Sequence, residues 1–342
     1  MISFATDYLV GCTPEILKRL EETNMEVQTA YGYDSYAAQA AEKIKKAADC
    51  PDAQIWFVSG GTECNQLVIG THLKSYQGVV AAKTGHVAVH EAGAIEYTGH
   101  KVMELEGRDG KLVPEDLAEF LRVYLADGNI THMVQPGMVY ISQPTELGTL
   151  YSKAELTAIY DTCRKYGLPL YIDGARLGYA LGSKANDISL AELCRLCDIF
   201  YIGGTKCGAL IGEALVFTHG NMPSDFFTLM KQRGVIVAKG RVLSLQFDVL
   251  FTDGLYEKLG RHAMEMAYLL VDGLKAKGYR MYLDSPTNQQ FVVIENSKME
   301  ELKAKNVDFS FIERFDDAHT VIRFCTCWAT QESDVEELLS LL

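Results

Sequence analysis

Seven short apolar runs recur along the first two thirds of the chain, at residues 55–58, 79–82, 101–105, 138–141, 168–172, 199–202 and 214–217. Amphipathic segments separate them, and this alternation is the pattern of an α/β sheet whose strands are joined by crossover helices. Helices are signalled at Pro114-Glu-Asp-Leu-Ala-Glu-Phe-Leu121 and at Ser152-Lys-Ala-Glu155, where serine and glutamate have capping-box spacing ahead of an apolar periodic run. Beyond residue 240 a long helical segment with Leu255, Leu259, Ala263, Met266 and Leu270 leads into shorter strand-like runs, 290–294 and 320–325, and a terminal helix. A chain of 342 residues exceeds the size at which single cores stop growing, about 250 to 300 residues. The expected architecture is a large, mostly parallel α/β domain over 1–245, N-terminal segment included, and a smaller C-terminal α+β domain over 246–342.

Two of these runs end in charged residues. Leu170-Tyr-Ile-Asp-Gly-Ala-Arg176 delivers Asp173 and Arg176, and Tyr201-Ile-Gly-Gly-Thr-Lys206 delivers Lys206. A carboxylate and a lysine presented at strand ends suit pyridoxal phosphate: the acid can hold the pyridinium nitrogen protonated, and the amine can bond to the aldehyde. The plainer accounts are an Asp-Gly turn and a solvated strand end. Ser59-Gly-Gly-Thr62 follows another run, so the amides of Gly61 and Thr62, with the Thr62 hydroxyl, can cradle a phosphate at a helix start. Ligands of open α/β sheets bind beyond the carboxyl ends of strands, and these segments share that placement. His86 can stack on a pyridine ring or move protons. Arg176 and Arg323 suit a bidentate clasp on a carboxylate, against the alternative of structural ion pairs.

Composition narrows the classes. A net charge of −13 repels nucleic acid and anionic membranes while leaving a local phosphate pocket allowed. No apolar run reaches the roughly 18 residues of a membrane span, and Met1-Ile-Ser-Phe-Ala-Thr-Asp7 lacks the regions of a signal peptide, so a cytoplasmic protein is expected. Nine scattered cysteines fit reduced thiols; Cys194 and Cys197 read as packing on an amphipathic segment, and Cys325 and Cys327 as core of a strand. No metal is expected, since His86, His90 and Glu91 lack the His-Glu-x-x-His arrangement.

The chain resembles the pyridoxal phosphate-dependent threonine aldolases, within the threonine aldolase and β-eliminating lyase group of fold-type I enzymes. The resemblance runs over almost its full length, through Ala5-Thr-Asp7, Tyr31-Gly-Tyr-Asp34, Ser59-Gly-Gly-Thr-Glu-Cys-Asn65, His86-Val-Ala-Val-His-Glu-Ala-Gly-Ala94, Asp173-Gly-Ala-Arg-Leu177, Gly204-Thr-Lys206 and Ile322-Arg-Phe324. It implies that Lys206 carries the cofactor, Asp173 partners the pyridinium, Gly61 and Thr62 hold the phosphate, and His86 stacks on the ring. Thr6, Arg176 and Arg323 would hold the substrate carboxylate, with Arg176 also bordering the cofactor. Tyr31 and Lys239 would reach the site from a neighbouring subunit of a homodimer or homotetramer. The implied reaction is cleavage of L-threonine or L-allo-threonine to glycine and an aldehyde. The alternatives are β-elimination releasing pyruvate and ammonia from a serine- or cysteine-like substrate, and a catalytically silent binding protein. Where family members carry Asn-Thr-His-Asn, this chain has Gln143-Pro-Thr-Glu146, so the histidine position becomes Thr145. That departure bears on substrate, stereochemistry and the retro-aldol step. His86 is the base by resemblance, with His90, Glu91 or a water held by Thr145 as alternatives.

Overall fold

The computed structural model describes residues 2–342. The first strand, β1 (Ile2–Ser3), lies apart from the main sheet. That sheet is built from β2 (Gln54–Val58), β3 (Gln77–Ala82), β4 (Val102–Leu105), β5 (Gln135–Ser142), β6 (Leu170–Asp173), β7 (Ile199–Gly203) and β8 (Glu213–Phe217). Its order is β2-β8-β7-β6-β5-β3-β4, with β8 antiparallel to both neighbours and the remaining pairs parallel. The mostly parallel α/β architecture read from the sequence is therefore the one observed.

Strands covered on both faces need apolar side chains at every position, which is why the runs are continuous rather than alternating. Val80, Val139, Ile141, Ile172, Phe200 and Ile202 belong to one buried cluster, and their chain neighbours Val79, Met138, Tyr140, Tyr171, Ile199 and Tyr201 to another. The second face thus carries three tyrosines on adjacent strands, and their hydroxyls must find partners once buried. They find them under the site described below.

The remaining strands are β9 (Arg280–Met281), β10 (Gln289–Glu295), β11 (Val307–Asp308), β12 (Ser310–Arg314) and β13 (His319–Cys325). An antiparallel sheet of order β12-β13-β10-β9 packs Val292, Ile322 and Phe324 against Leu270 and Leu338 of the helices Leu255–Ala276 and Glu332–Leu341. Strand β1 pairs in parallel with β11, and Phe4 enters this smaller core, so the N-terminal segment spans from the small sheet to the large one. The helix Arg241–Leu250 packs on Ser35–Ala47 of the large unit, and the expected division after residue 245 falls inside it. We propose the turn after this helix as the boundary.

Local signals act as anticipated at Ser152, whose side chain and that of Glu155 form both halves of a capping box on Lys153–Tyr166. A second box, Ser189 with Glu192, opens the short helix that buries Cys194. No described helix is long and apolar enough to cross a membrane.

Candidate active site

Strand ends β2, β3, β5, β6 and β7 all point the same way, and the residues after them converge. Asp173, the last residue of β6, is buried at 4% exposure. Tyr201 Oη donates to its Oδ1 (2.5 Å) with the Ala175 amide (3.0 Å), and Tyr140 Oη (2.7 Å) and Asn65 Nδ2 (3.3 Å) donate to its Oδ2. Burial alone would raise the Asp173 pKa. The His86 charge and the bonds from Tyr201, Ala175 and Tyr140 outweigh burial and hold the carboxyl below its ordinary value. An ionised acid at this place is what a protonated pyridine nitrogen requires.

His86 opens a short turn after β3. Its Nδ1 donates to Glu91 Oε1 (2.8 Å), which also accepts from Asn65 Nδ2 (2.5 Å), while Tyr171 Oη donates to Asn65 Oδ1 (2.8 Å). Burial disfavours the His86 imidazolium, yet the Glu91 hydrogen bond and the charges of Asp173, Glu91 and Glu146 raise its pKa above the usual histidine value. The Glu91 side chain is fully buried, so it orients His86 instead of meeting a substrate. Thr145 is also removed from the cleft: at 1% exposure, its hydroxyl is paired with Thr149 Oγ1 (2.7 Å), which donates to the Asp109 carbonyl. The base alternatives through Glu91 and a Thr145-held water therefore lack the geometry they need. His90 is exposed, its pKa lowered by burial and by repulsion from His86, Arg323, Arg176 and Lys206.

Lys206 is half-buried beyond β7, and no ion pair or hydrogen bond to Nζ occurs among the described residues. The Tyr8 ring stands 5.8 Å from Nζ. The helix Gly61–His72 starts beside it with no side chain capping its first turn, so the Gly61 and Thr62 amides remain open to an anion. A Cβ at Gly61 would come 2.7 Å from Tyr201 Oη. Glycine is what lets this backbone stand over the tyrosine that holds Asp173.

The arginines come from different units and meet on the N-terminal segment. Arg176 donates through Nε (2.6 Å) and Nη2 (3.1 Å) to Asp7, and Arg323 Nη2 donates to the Ala5 carbonyl (3.1 Å), which places Thr6 between them. Arg323 Nη1 donates to Gln289 Oε1 (2.8 Å), while its Nε and the Asn288 side-chain oxygen Oδ1 are buried without a partner. Asp7, Asn65, Tyr140, Tyr201 and Glu146 are the residues of this site that motif reading passed over or left without a role, and Glu91 was read as an alternative base, not as the group that orients His86. Asp7, Asn65 and Glu91 lay inside quoted motifs; the tyrosines were indistinguishable from core.

Tyr31 and Lys239 stand elsewhere. The Tyr31 amide donates to the Ala238 carbonyl (3.0 Å), and its ring lies 4.6 Å from Lys231 Nζ. Tyr31 is the non-glycine residue at φ 61°, 38% exposed, and Lys239 is exposed beside it. No described hydrogen bond or ion pair joins either residue to Asp173 or Lys206.

The residues fit pyridoxal phosphate: an unpaired amine, an ionised buried acid, an imidazole whose charge acts on that acid, open amides at a helix start, and orphaned polar atoms beside the arginines. Comparison with known proteins agrees. The β-eliminating lyase family matches residues 3–304. The low specificity L-threonine aldolase of Pseudomonas sp. is 33% identical over 98% of this chain and 95% of its own length, and that of Pseudomonas aeruginosa 30% identical over the same shares. The solved threonine aldolase of Leishmania major superposes with a TM-score of 0.96 at 41% identity, covering 100% of this chain and 98% of that one. A histidinol-phosphate aminotransferase of Clostridium acetobutylicum, at 13% identity, shares the fold alone, with a TM-score of 0.75 over 100% of this chain and 98% of its own.

Proposed function

The chain belongs to the β-eliminating lyase family, and we propose that it is a threonine aldolase, cleaving L-threonine or L-allo-threonine to glycine and acetaldehyde. The observation that carries this reading is an unpaired Lys206 amine whose charge reaches Asp7, the partner of Arg176, at the sheet edge where four donors hold Asp173 ionised. Bound pyridoxal phosphate supplies the electron sink for the bond broken at the substrate α-carbon.

The chain's own residues do the remainder. Lys206 Nζ would hold the cofactor through its aldehyde. Asp173 keeps the ring nitrogen protonated; the 3.3 Å Asn65 contact is the longest of its four and yields most readily to a charged N–H donor. Gly61 and Thr62 hold the phosphate, and His86 covers the ring. Arg176 and Arg323, with the Thr6 hydroxyl, would fix the substrate carboxylate and so orient the bonds at its α-carbon. Asp7 locks Arg176 in one rotamer, leaving its Nη1 edge for the substrate.

The same proposal makes the active molecule a cytoplasmic homodimer or homotetramer in which Tyr31 and Lys239 approach a neighbour's phosphate. Supporting it, Val27 and Met25 are 99% and 89% exposed on the segment that leads to Tyr31, more apolar surface than one chain normally leaves open. Nine free cysteines fit a reducing compartment.

The test is an aldehyde and glycine assay on L-threonine and L-allo-threonine, with L-serine and L-cysteine assayed for pyruvate, in wild type and Lys206→Ala. Equimolar glycine and acetaldehyde, lost in Lys206→Ala together with visible absorbance, is the expected result. Pyruvate without glycine would replace the reading with β-elimination. A colourless protein with no turnover would make it a silent relative.

A further inference from the structure

Burying Thr145 leaves the loop that carries the family histidine without a histidine and with its threonine turned inward. One residue on stands Glu146. Its Oε1 accepts from Ser142 Oγ (2.6 Å) and from the His86 amide (3.0 Å), so the carboxylate is anchored at two points to the strand β5 and to the His86 turn. Oε2 has no protein partner and is not sealed from solvent. No lysine, arginine or histidine pairs with Glu146 among the described residues. Its charge nevertheless acts on Arg176 on one side and on His86 and Tyr140 on the other. Its bond from the His86 amide sets the carboxylate beside the residue read as the ring cover, and its charge reaches Arg176 of the clasp.

We propose that Glu146 is the catalytic base of the cleavage, taking the β-hydroxyl proton through Oε2 in place of the absent loop histidine. This rests on the aldolase reading above. The balance is simple: the O–H proton passes to the carboxylate, the O–H pair becomes the second bond of the aldehyde C=O, and the Cα–Cβ bond breaks. Its pair remains with Cα, which gains a proton to complete glycine, so no oxidant or co-reactant is needed. A carboxylate anchored through one oxygen and open at the other is suited to this, because it accepts the proton without moving. His86 is the poorer base, since its Nδ1 is committed to Glu91 and its surroundings favour the protonated form.

Glu146→Gln is nearly isosteric and keeps an oxygen for Ser142 and the His86 amide. On the cofactor-loaded enzyme three readouts are compared: threonine cleavage, exchange of glycine α-protons with solvent deuterium, which involves no β-hydroxyl, and the visible band with circular dichroism. The expected result is a fall in kcat on the order of 10²-fold or more, with loss of the acid limb of the pH profile. Glycine exchange and both spectra stay close to wild type. In selectively labelled holoenzyme, the His86 imidazole should also titrate at lower pH in the variant, because a neighbouring negative charge has gone. Cleavage by E146Q at the wild-type rate and pH dependence overturns the role of Glu146 alone. Equal loss of cleavage and glycine exchange also overturns it, showing a residue needed to shape the site. A wild type that exchanges glycine protons but leaves both threonines intact defeats the aldolase reading, and the Glu146 base with it.

Discussion

Asp7 and Arg176 form a buried ion pair, and such a pair is stable only when both charges are present and fully bonded. Burial would raise the Asp7 pKa, but the charges of Arg176 and Lys206 and the bonds from Arg176 and Asn288 hold it at about 2, against 3.8 ordinarily. A depressed carboxylate stabilises the fold above its unfolded value and loses that contribution as pH falls through the folded one. The pair should therefore support the fold fully above pH ~4 and fail between there and ~2, a term on the order of 2 kcal/mol. Asp7→Asn strands a buried guanidinium and should destabilise by about 3 to 5 kcal/mol while raising KM for amino acids. Urea melts at pH 7, with a KM measurement, check both, and a wild-type KM in the variant would remove Asp7 from the clasp. Lys206, Asp173, the Gly61–Thr62 turn and Arg176 were legible because each ends or follows an apolar run, and Arg323 because it interrupts one. Asp7 was passed over for its neighbour Thr6, since only the folded chain brings it to Arg176.

The β7–β8 turn shows how an element end is tuned. Glu213, at the start of β8, is buried beside Lys206 and accepts from the Gly204 amide (2.8 Å). Burial pushes its pKa up to about 7, against the bonds from Gly204 and Thr205 and the Lys206 charge. A raised carboxyl destabilises the fold progressively as pH climbs from 4.5, its ordinary value, to about 7, by roughly 3 kcal/mol at the top. Glu213→Gln should thus be more stable than wild type at pH 8 and close to it at pH 5, measured by urea unfolding of cofactor-free protein; equal gains at both would discount the charge. Gly203, ending β7, has no room for a side chain, because a Cβ would stand 2.1 Å from the Ala175 carbonyl. Gly203→Ala should cost about 1 to 3 kcal/mol and weaken cofactor binding by parting the strand ends that carry Asp173 and Lys206; unchanged cofactor affinity would refute the second half. All seven runs of the main sheet were readable, the central ones because burial on both faces writes a continuous apolar signal. The short strands β1, β9 and β11, two residues each, and the bulged, largely exposed β12 left no such signal.

For the whole molecule, Val27→Asp tests whether subunits complete each other's sites. Wild type should sediment as a dimer or larger and V27D as a smaller species with reduced cofactor affinity, because Tyr31 and Lys239 would have lost the neighbour they serve. A monomeric V27D that binds cofactor normally would end the shared-site proposal. The pairing of Ile2–Ser3 with Val307–Asp308 reaches further. The residues that position Asp7 are made some three hundred residues before their partner strand. Through most of synthesis the large sheet can assemble around Arg176 with its guanidinium uncovered, and the clasp becomes functional only when the small sheet arrives. A chain that stops before the small sheet lacks Arg323 and the strand that anchors the Asp7 segment, and it should fail to hold an amino acid's carboxylate.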